Sequence, residues 1–297
     1  MQTGGLILAL VLQAGPPQGT VVWESDWSHA RGGPADIEAL TDGGKWPIHN
    51  DYGCGGTRTC NDMLSIVSAE GLGFPEGMEN VMRVSFDGHK GSQDVIVHDE
   101  WEAPKEPGDA IYYRIYMRND IPNDTRLGSN GNHPFQLGRF TRTDEGFTCN
   151  TYFEFNFGND PDGDGLFSFA VASFRSGPPI RYFTALPMNE ALRIEYAFLK
   201  RAPDRYKVRF RVYNQAGRMI VDSDGGDMVG RDESNRRAEL RARTLTIPDM
   251  CVPTQFIGTN GPATPPDRGY HYWGGFAVCE GGWCGPYRRE DPPPTSP

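Results

Sequence analysis

The sequence lacks the features that mark several large classes of protein. The apolar segment 6–12 is too short to cross a bilayer, which takes about 20 residues, and no other segment is a better candidate. The chain also has no P-loop, no dinucleotide-binding glycine fingerprint and no Gly-x-Ser-x-Gly elbow. The sequence therefore predicts no membrane span, no nucleotide-binding enzyme and no α/β-hydrolase.

Two further catalytic or metal-binding patterns are missing. A retaining glycosidase of the β-sandwich type would show paired carboxylates such as Glu-x-Asp-x-x-Glu on one strand face, and the nearest segment, Glu154-Phe155-Asn156, has only the first acid. There is no Cys-x-x-Cys pair and no His at ligand spacing from a pair of cysteines, which disfavours a zinc site. Helix-forming sequence is scarce, and segment 232–241 is the best candidate.

The charge balance is acidic. The chain has 29 Lys and Arg against 39 Asp and Glu, which gives a net charge of −10. An acidic protein is a poor match for the phosphate backbone or for an anionic membrane surface. The sequence therefore predicts no nucleic-acid partner, and it leaves the oligomeric state open.

The N-terminal region and the cysteines indicate export. The apolar segment 6–12 followed by small residues is typical of a signal peptide, and we assign residues 1–19 to a signal peptide and leader. Six cysteines, an even number, fit disulfides in a secreted protein. Two pairs would close short Gly-rich loops, and this favours the pairings Cys54–Cys60, Cys279–Cys284 and Cys149–Cys251. Six cysteines allow fifteen pairings in all, and a zinc site is the weaker alternative.

The sequence predicts many short strands in the remainder of the chain. Gly and Pro, at 37 and 24 residues, favour turns, and alternation of apolar and polar residues recurs between them. We expect one all-β domain over residues 20–288 and a disordered Pro-rich tail over 289–297. The expected strands cover residues 21–24, 64–69, 80–86, 94–98, 110–118, 135–140, 151–157, 166–174, 191–199, 207–213, 218–221, 243–246 and 273–279.

The strand at 111–118 is the most informative segment for function. Because strand side chains alternate between faces, Tyr112, Arg114, Tyr116 and Arg118 share one face and apolar residues share the other. Tyrosine rings stack on sugar faces, and guanidinium groups pair with carboxylates. A similar polar face is expected in the strand 151–157. These faces predict a binding surface for acidic sugars, with ordinary solvated surface as the alternative.

Several segments together resemble a known architecture. Segments 21–27, 80–86, 192–196, 206–217 and 270–278 resemble, in this order, strands of concanavalin A-like jelly rolls. The order along the chain is similar to that of the bacterial jelly-roll polysaccharide lyases. The resemblance implies a concanavalin A-like jelly-roll β-sandwich with little helix, and it implies the fold more strongly than the activity.

A lyase that acts on uronic-acid polymers needs three functions. One group neutralises the substrate carboxylate, a base removes the neighbouring proton, and an acid protonates the leaving oxygen. The segment Asn132-His133-Pro134-Phe135-Gln136 supplies an amide, an imidazole and a second amide, and it is similar in content to the Gln/His strand of jelly-roll lyases. The expected catalytic residues are His133, Gln136, Tyr112 and Tyr116. The expected substrate-binding residues are Arg114, Arg118, Asn132, Tyr152, Glu154, Asn156 and Tyr272.

An acidic loop suggests a cation site. Asp160, Asp162 and Asp164, followed by a glycine, match the first half of a calcium-binding loop. An EF-hand would require an acid at position 171, which is Val171, so any calcium here would sit in a smaller structural loop. A solvated acidic turn is the alternative.

The sequence predicts that the protein is a secreted lyase, which cleaves an acidic polysaccharide by β-elimination. A non-catalytic carbohydrate-binding domain and a structural or adhesive extracellular domain are the two alternatives, because the same faces and disulfides would serve them.

Overall fold

The computed structural model describes fifteen segments of the chain. These are residues 18–28, 33–34, 43, 48–49, 64–85, 96–98, 106–120, 135–142, 148–157, 166–173, 181–202, 205–222, 245–246, 251–257 and 269–289. Within these segments the chain forms strands and no helix. The strands are β1 (Thr20–Ser25), β2 (Gly33–Pro34), β3 (Ile48–His49), β4 (Leu64–Ser68), β5 (Asn80–Ser85), β6 (Ile96–His98), β7 (Ala110–Asn119), β8 (Phe135–Arg142), β9 (Thr148–Phe157), β10 (Leu166–Ser173), β11 (Arg181–Pro187), β12 (Leu192–Ala202), β13 (Arg205–Tyr213), β14 (Met219–Asp222), β15 (Leu245–Thr246), β16 (Cys251–Ile257) and β17 (Tyr270–Glu280).

The strands form two antiparallel sheets. The ten-stranded sheet has the order β14-β13-β12-β7-β17-β5-β4-β2, with β1 paired to β17 and β15 paired to β13. The seven-stranded sheet has the order β11-β10-β9-β8-β16-β6-β3. In the seven-stranded sheet β8 to β11 form a meander, since each pairs with the next along the chain. The prediction of an all-β fold is confirmed.

The core lies on one face of the ten-stranded sheet. In β7 the alternate residues Ile111, Tyr113, Ile115 and Met117 are all buried, as the period of two predicts. Tyr113 lies opposite Tyr196 of β12, and the two rings stack with centroids 4.7 Å apart. Offset aromatic pairs of this kind add to the gain from burial. The apolar half of the sequence pattern therefore packs as expected.

The sequence analysis missed four strands, of which β2 and β3 are only two residues long. Of the two longer ones, β11 begins two residues after the pair Pro178-Pro179, in a segment rich in turn signals. The other, β16, contains Pro253, and proline within a run argues against a central strand because it donates no ladder hydrogen bond. Pro253 nevertheless lies opposite Phe140, and β16 has β8 and β6 as neighbours. The expected helix at 232–241 lies outside the described residues.

The two ends of the expected domain meet in space. Thr20 of β1 lies opposite Glu280 of β17. Gln18 and Gly19, which the sequence analysis assigned to the leader, also contact the chain near Trp283, through the Gly19 amide (2.8 Å to the Trp283 carbonyl oxygen) and a Gln18–Trp283 bridge. Ordered contacts thus extend two residues beyond the expected start of the domain. Residues 290–297, most of the expected tail, lie outside the described part.

One of the expected disulfides is confirmed. Cys279 and Cys284 are bonded, with Cα atoms 5.5 Å apart. Cys149 and Cys251 belong to β9 and β16, the strands on either side of β8. Cys54 and Cys60 lie outside the described residues, and the pairing of these four cysteines stays a prediction. In the described part of the chain no helix is long and apolar enough to cross a membrane.

A buried histidine makes stability depend on pH. Burial lowers the pKa of His271 to about 3, from an ordinary value near 6.5. Between these two values the unfolded chain binds a proton that the folded protein does not, so His271 makes the free energy of unfolding fall as the pH falls through this window. We expect His271→Gln to reduce that fall by about 1 kcal/mol per pH unit.

Urea unfolding at several pH values between about pH 6.5 and about pH 4 measures this effect. The slope of stability against pH is compared in wild type and variant, so that contributions from other groups cancel. Equal slopes in the two proteins would show that His271 is not the group responsible.

Candidate functional site

The seven-stranded sheet gathers polar positions on one face. Gln136 of β8 lies directly opposite Glu154 of β9, and Arg139 lies opposite Tyr152. Tyr152, Glu154 and Asn156 alternate along β9 and therefore share this face. Side chains at opposite positions start with Cβ atoms about 4.5–5.5 Å apart, which is within reach of direct interaction. Four of these five residues are ones that the sequence analysis selected.

The same face continues across the next two strands. Ala172 of β10 lies opposite Glu154, and Arg181 of β11 lies opposite Ala172. Ala170 lies opposite Asn156 in the same way. We call the positions Gln136, Arg139, Tyr152, Glu154, Asn156 and Arg181 the seven-stranded polar face.

Sequence reasoning missed the two arginines of this face. Simple alternation places Arg139 on the side opposite to Gln136, but β8 has a bulge between Gln136 and Gly138. The extra residue shifts the alternation by one and brings Arg139 to the same side as Gln136. Arg181 was missed because β11 was not predicted. The only signal for the bulge was Gly138 inside a strand pattern.

Positions on the other side of this sheet are aromatic. Phe153, Phe155 and Phe157 alternate with the polar positions of β9, and Phe135 and Val171 lie opposite Phe155 on the two flanking strands. This is the pattern of a sheet with one apolar and one polar side. The register of the neighbouring strands thus places apolar residues beside the apolar positions of β9, while the burial of either face stays a prediction.

Other expected site residues fall outside the described part. Asn132 and His133 immediately precede β8, and Asp160, Asp162 and Asp164 lie between β9 and β10. No cluster of three or more potential metal-binding side chains occurs among the described residues.

The Arg/Tyr face of β7 has a different environment from the one expected. The segment Gly281–Arg289, which we call the C-terminal strap, follows β17 and contacts this face. Arg114 is only 1% exposed. It donates to the carbonyl oxygens of Gly275 (3.0 Å) and Gly285 (3.5 Å) and forms an ion pair with Glu24. Its hydrogen-bonding groups are directed at the protein itself, and an external carboxylate has no access to them.

Gly275 makes one of these contacts possible. It lies in a bulge of β17 with φ of +55°, a conformation that glycine adopts without strain. A Cβ at this position would come within 2.5 Å of Met78 and 3.2 Å of the Tyr116 ring. The bulge thus lets the Gly275 carbonyl approach the Arg114 guanidinium. The side chains of Met78 and Tyr116 pack so closely against Gly275 that they leave no room for a Cβ.

A row of alternating charges crosses the ten-stranded sheet under the strap. Arg114, Glu195, Arg211 and Asp222 lie opposite one another on β7, β12, β13 and β14. Glu195 is 1% exposed and accepts a hydrogen bond from the Gly285 amide at 2.5 Å. Burial raises the pKa of Glu195, and the nearby Arg193 partly offsets that shift. Each buried charge in this row thus has a residue of opposite charge at the neighbouring position, which offsets the cost of its burial.

The strap also holds this face through its aromatic residues. Trp283 lies over Arg211, whose guanidinium carbon is 4.2 Å from the ring centroid, and packs edge-on against Tyr112 at 5.4 Å. The Tyr116 hydroxyl accepts a hydrogen bond from the Tyr287 amide at 2.9 Å. Tyr112 and Tyr116 are therefore engaged by the chain's own C-terminal strap. The Cys279–Cys284 disulfide fixes the start of the strap.

Arg118 and Tyr272 are similarly occupied. Arg118 donates to Asp120 at 2.7 Å and to the Leu72 carbonyl oxygen at 2.8 Å. Tyr272 is 8% exposed in a buried cluster, and burial raises its pKa. Tyr112, Arg114, Tyr116, Arg118 and Tyr272 thus belong to the ten-stranded sheet, whereas the residues of the seven-stranded polar face belong to the other sheet. The two sets of expected site residues do not share one face.

The comparisons with known proteins agree with the fold. No protein-family model matches this chain, and no curated protein matches it. A solved structure of a PL-14 alginate lyase from Aplysia kurodai matches with a TM-score of 0.53 at 11% identity, over 88% of this chain and 99% of the lyase. An endo-β-1,4-glucuronan lyase from Trichoderma reesei matches with a TM-score of 0.46 at 8% identity, over 88% and 96%. The chain therefore has the jelly-roll fold seen in the alginate lyase, as the sequence resemblance predicted.

Proposed function

We propose that this protein cleaves an acidic, uronic-acid polysaccharide by β-elimination on the seven-stranded polar face. The observation that carries the proposal is the register of β8 and β9. It sets an amide opposite a carboxylate, at Gln136 and Glu154, and a guanidinium opposite a phenol, at Arg139 and Tyr152. A jelly-roll fold shared with an alginate lyase is consistent with the proposal but does not establish the reaction.

The residues of this face match the requirements of the reaction. Arg139, with the amide of Gln136, would neutralise the uronate carboxylate and so make the proton on the adjacent carbon acidic. Tyr152 or His133 would remove that proton. The carbon–oxygen bond to the leaving sugar then breaks, a carbon–carbon double bond forms, and the leaving oxygen takes up a proton from the other of these two groups.

The remaining polar positions would hold the polymer. Asn132, Glu154, Asn156 and Arg181 would bind sugar hydroxyls and carboxylates beside the reacting residue. We leave Tyr112, Tyr116, Arg114, Arg118 and Tyr272 out of the site, since their contacts lie within the ten-stranded sheet and the strap. These five residues stabilise the fold instead.

We also propose secretion and a structural calcium ion. The disulfide at Cys279–Cys284 is typical of proteins that fold in an oxidising compartment. The acidic loop with Asp160, Asp162 and Asp164 supplies the carboxylate oxygens that calcium prefers. Assays with added calcium and with a chelator test the second proposal.

Ultraviolet absorbance tests the activity, because β-elimination creates a double bond conjugated with the carboxylate. The purified protein is offered alginate, glucuronan, pectate, hyaluronan and a heparin-type glycan. A rising signal on one glycan is the expected result, and it names the substrate class. A flat trace on every glycan, from protein shown to be folded, would contradict the proposal and favour a carbohydrate-binding domain without catalysis.

A further inference from the structure

A disulfide loop joins the end of β17 to the C-terminal strap. Cys279, in β17, and Cys284, in the strap, are bonded, with Cα atoms 5.5 Å apart. The chain between them turns at Gly281, whose φ of +74° is a conformation that favours glycine. We call residues 279–284 the disulfide loop. The strap therefore begins at a point that is covalently tied to β17.

The disulfide loop holds the N-terminal segment as well as the strap. The Gly19 amide donates to the Trp283 carbonyl oxygen at 2.8 Å, and the Gln18 side-chain amide donates to the Cys284 carbonyl oxygen at 2.8 Å. A Cβ on Gly19 would overlap the Gly282 carbonyl oxygen, so the two backbones are in close contact. Movement of the disulfide loop would therefore release both the N-terminal segment and the strap.

Beyond the disulfide loop, side chains of the sheet and of its edge anchor the strap. The described residues 285–289 belong to no strand. The Gly285 amide donates to Glu195 at 2.5 Å, the Tyr287 amide donates to the Tyr116 hydroxyl at 2.9 Å, and the Tyr287 hydroxyl donates to a carboxylate oxygen at 2.7 Å. Single hydrogen bonds of this kind contribute modestly to stability. A segment that is held by a few of them can open locally while the sheets stay intact.

The disulfide bond and the closed strap protect each other. A cross-link restricts the open chain, and for a loop as short as residues 279–284 its loss raises the open population by roughly 40-fold. Cys279 and Cys284 are both fully buried, and they pack with Ala277 and Tyr112. Because exchange requires a thiolate to reach a sulfur atom of the bond, a reductant attacks this disulfide only when the strap has opened.

We propose that the Cys279–Cys284 pair is a redox latch, which closes the strap and the N-terminal segment over the ten-stranded sheet when it is oxidised and lets both open when it is reduced. Opening uncovers the buried groups Arg114 and Glu195, which the strap contacts through Gly285 in the oxidised form. The oxidising compartment in which the latch closes rests on the proposed secretion. The latch itself rests on the contacts of the loop and the strap.

The chemistry of the latch is thiol–disulfide exchange with a small dithiol or with the disulfide of that dithiol. In the opening direction a thiolate of the dithiol attacks one cysteine sulfur, and a mixed disulfide forms. The second thiolate of the dithiol then displaces this cysteine, so that the dithiol gains an S–S bond. Two electrons and two protons pass from the dithiol to the cysteine pair. Closing runs the same steps in reverse, with the disulfide compound as the oxidant.

Hydrogen exchange tests the latch. The full chain with Cys279→Ala and Cys284→Ala is compared with the oxidised wild type at the amides of Gly19, Gly285 and Tyr287. We expect these amides to exchange faster in the double variant by roughly 40-fold, because the strap opens more often, whereas amides of β7 and β12 keep their protection. Unchanged exchange at the three amides would overturn the proposal. An equal loss of protection in β7 and β12 would also overturn it, since the bond would then stabilise the whole fold.

The rate at which dithiothreitol reduces the bond tests the latch in a protein that keeps both cysteines. Tyr287→Phe removes the hydroxyl that donates to Asp26 and keeps the ring and the amide. We expect the Cys279–Cys284 bond of this variant to be reduced about tenfold or more faster than in the wild type, because a hydrogen bond to a carboxylate is lost and the strap opens more often. Alkylation of the freed thiols followed by peptide mapping measures the rate at this bond alone.

Tyr270→Phe is the matched control, because Tyr270 is a partly exposed residue at the other end of β17, where its ring contacts Arg83. Its rate of reduction should equal that of the wild type. Equal rates in the wild type and Tyr287→Phe, or the same acceleration in both variants, would overturn the proposal that the closed strap shields the bond. Neither measurement uses glycan turnover, so a failure of the latch is distinguishable from a failure of the proposed lyase reaction.

Discussion

Replacing Tyr152 by Phe is expected to lower kcat on the acidic glycan by about 10²–10⁴-fold, the range typical of a lost acid or base. The substitution removes one hydroxyl and keeps the ring, so binding of the sugar should persist with little change in KM. Tyr152 is the tyrosine of the seven-stranded polar face, and the position opposite it is Arg139. Initial rates from the ultraviolet assay over a range of glycan concentrations measure both constants.

Tyr112→Phe is the matched control for this prediction. Tyr112 lies on the ten-stranded sheet against Trp283, and its hydroxyl has no role in the proposed reaction. We expect its kcat to remain within about twofold of the wild type, as for a change outside the active site. Comparable losses in the two variants, or a fully active Tyr152→Phe, would contradict the assignment of the site to the seven-stranded sheet.

Replacing Arg114 by Met is expected to destabilise the fold by about 3–5 kcal/mol, the cost of breaking a buried ion pair. Met keeps much of the volume but leaves the carboxylate of Glu24 and the carbonyl oxygens of Gly275 and Gly285 without their donor. The charge row also loses the cation opposite buried Glu195. Urea unfolding followed by tryptophan fluorescence measures the loss.

Arg218→Met provides the comparison, because Arg218 is an exposed residue of the turn between β13 and β14. Its midpoint of unfolding should not differ measurably from that of the wild type. If Arg114→Met were as stable as Arg218→Met and bound glycan less tightly, then Arg114 would be a binding residue, as the sequence alone had suggested.

Much of the fold was predictable because strand patterns depend on local sequence. In β7, β9 and β13 the alternation of apolar and polar residues is regular, and all three form strands. In β7 and β13 the expected apolar residues whose side chains are described are buried. The exceptions have local causes. The strand β16 was not predicted because Pro253 has no N–H to donate to a neighbouring strand. The strand β11 was not predicted because the sequence before Arg181 is rich in turn residues.

The candidate site was only partly predictable, because alternation identifies two faces but not what covers them. The polar face of β7 has the same pattern whether it meets water, a ligand or another part of the chain. Here the C-terminal strap covers it through Trp283 and Tyr287. The signal available in the sequence was the run of aromatic, glycine and cysteine residues directly after the last strand.

Register and bulges explain the rest of the difference. Arg139 joins Gln136 on one face only because one extra residue in β8 shifts the alternation. A register places residues that are distant in sequence side by side, so it is a property of the assembled sheet. Single-strand patterns do not contain it.

The most direct test of the central claim is the mass of the reaction products formed in heavy-oxygen water. The wild type is incubated with the glycan found in the ultraviolet screen, and Gln136→Ala is incubated in parallel. β-Elimination on the seven-stranded polar face predicts unsaturated fragments without heavy oxygen from the wild type, and very little product from the variant. Fragments that carry one heavy oxygen atom would identify a hydrolase, and equal product from the two proteins would place the reaction elsewhere in the molecule.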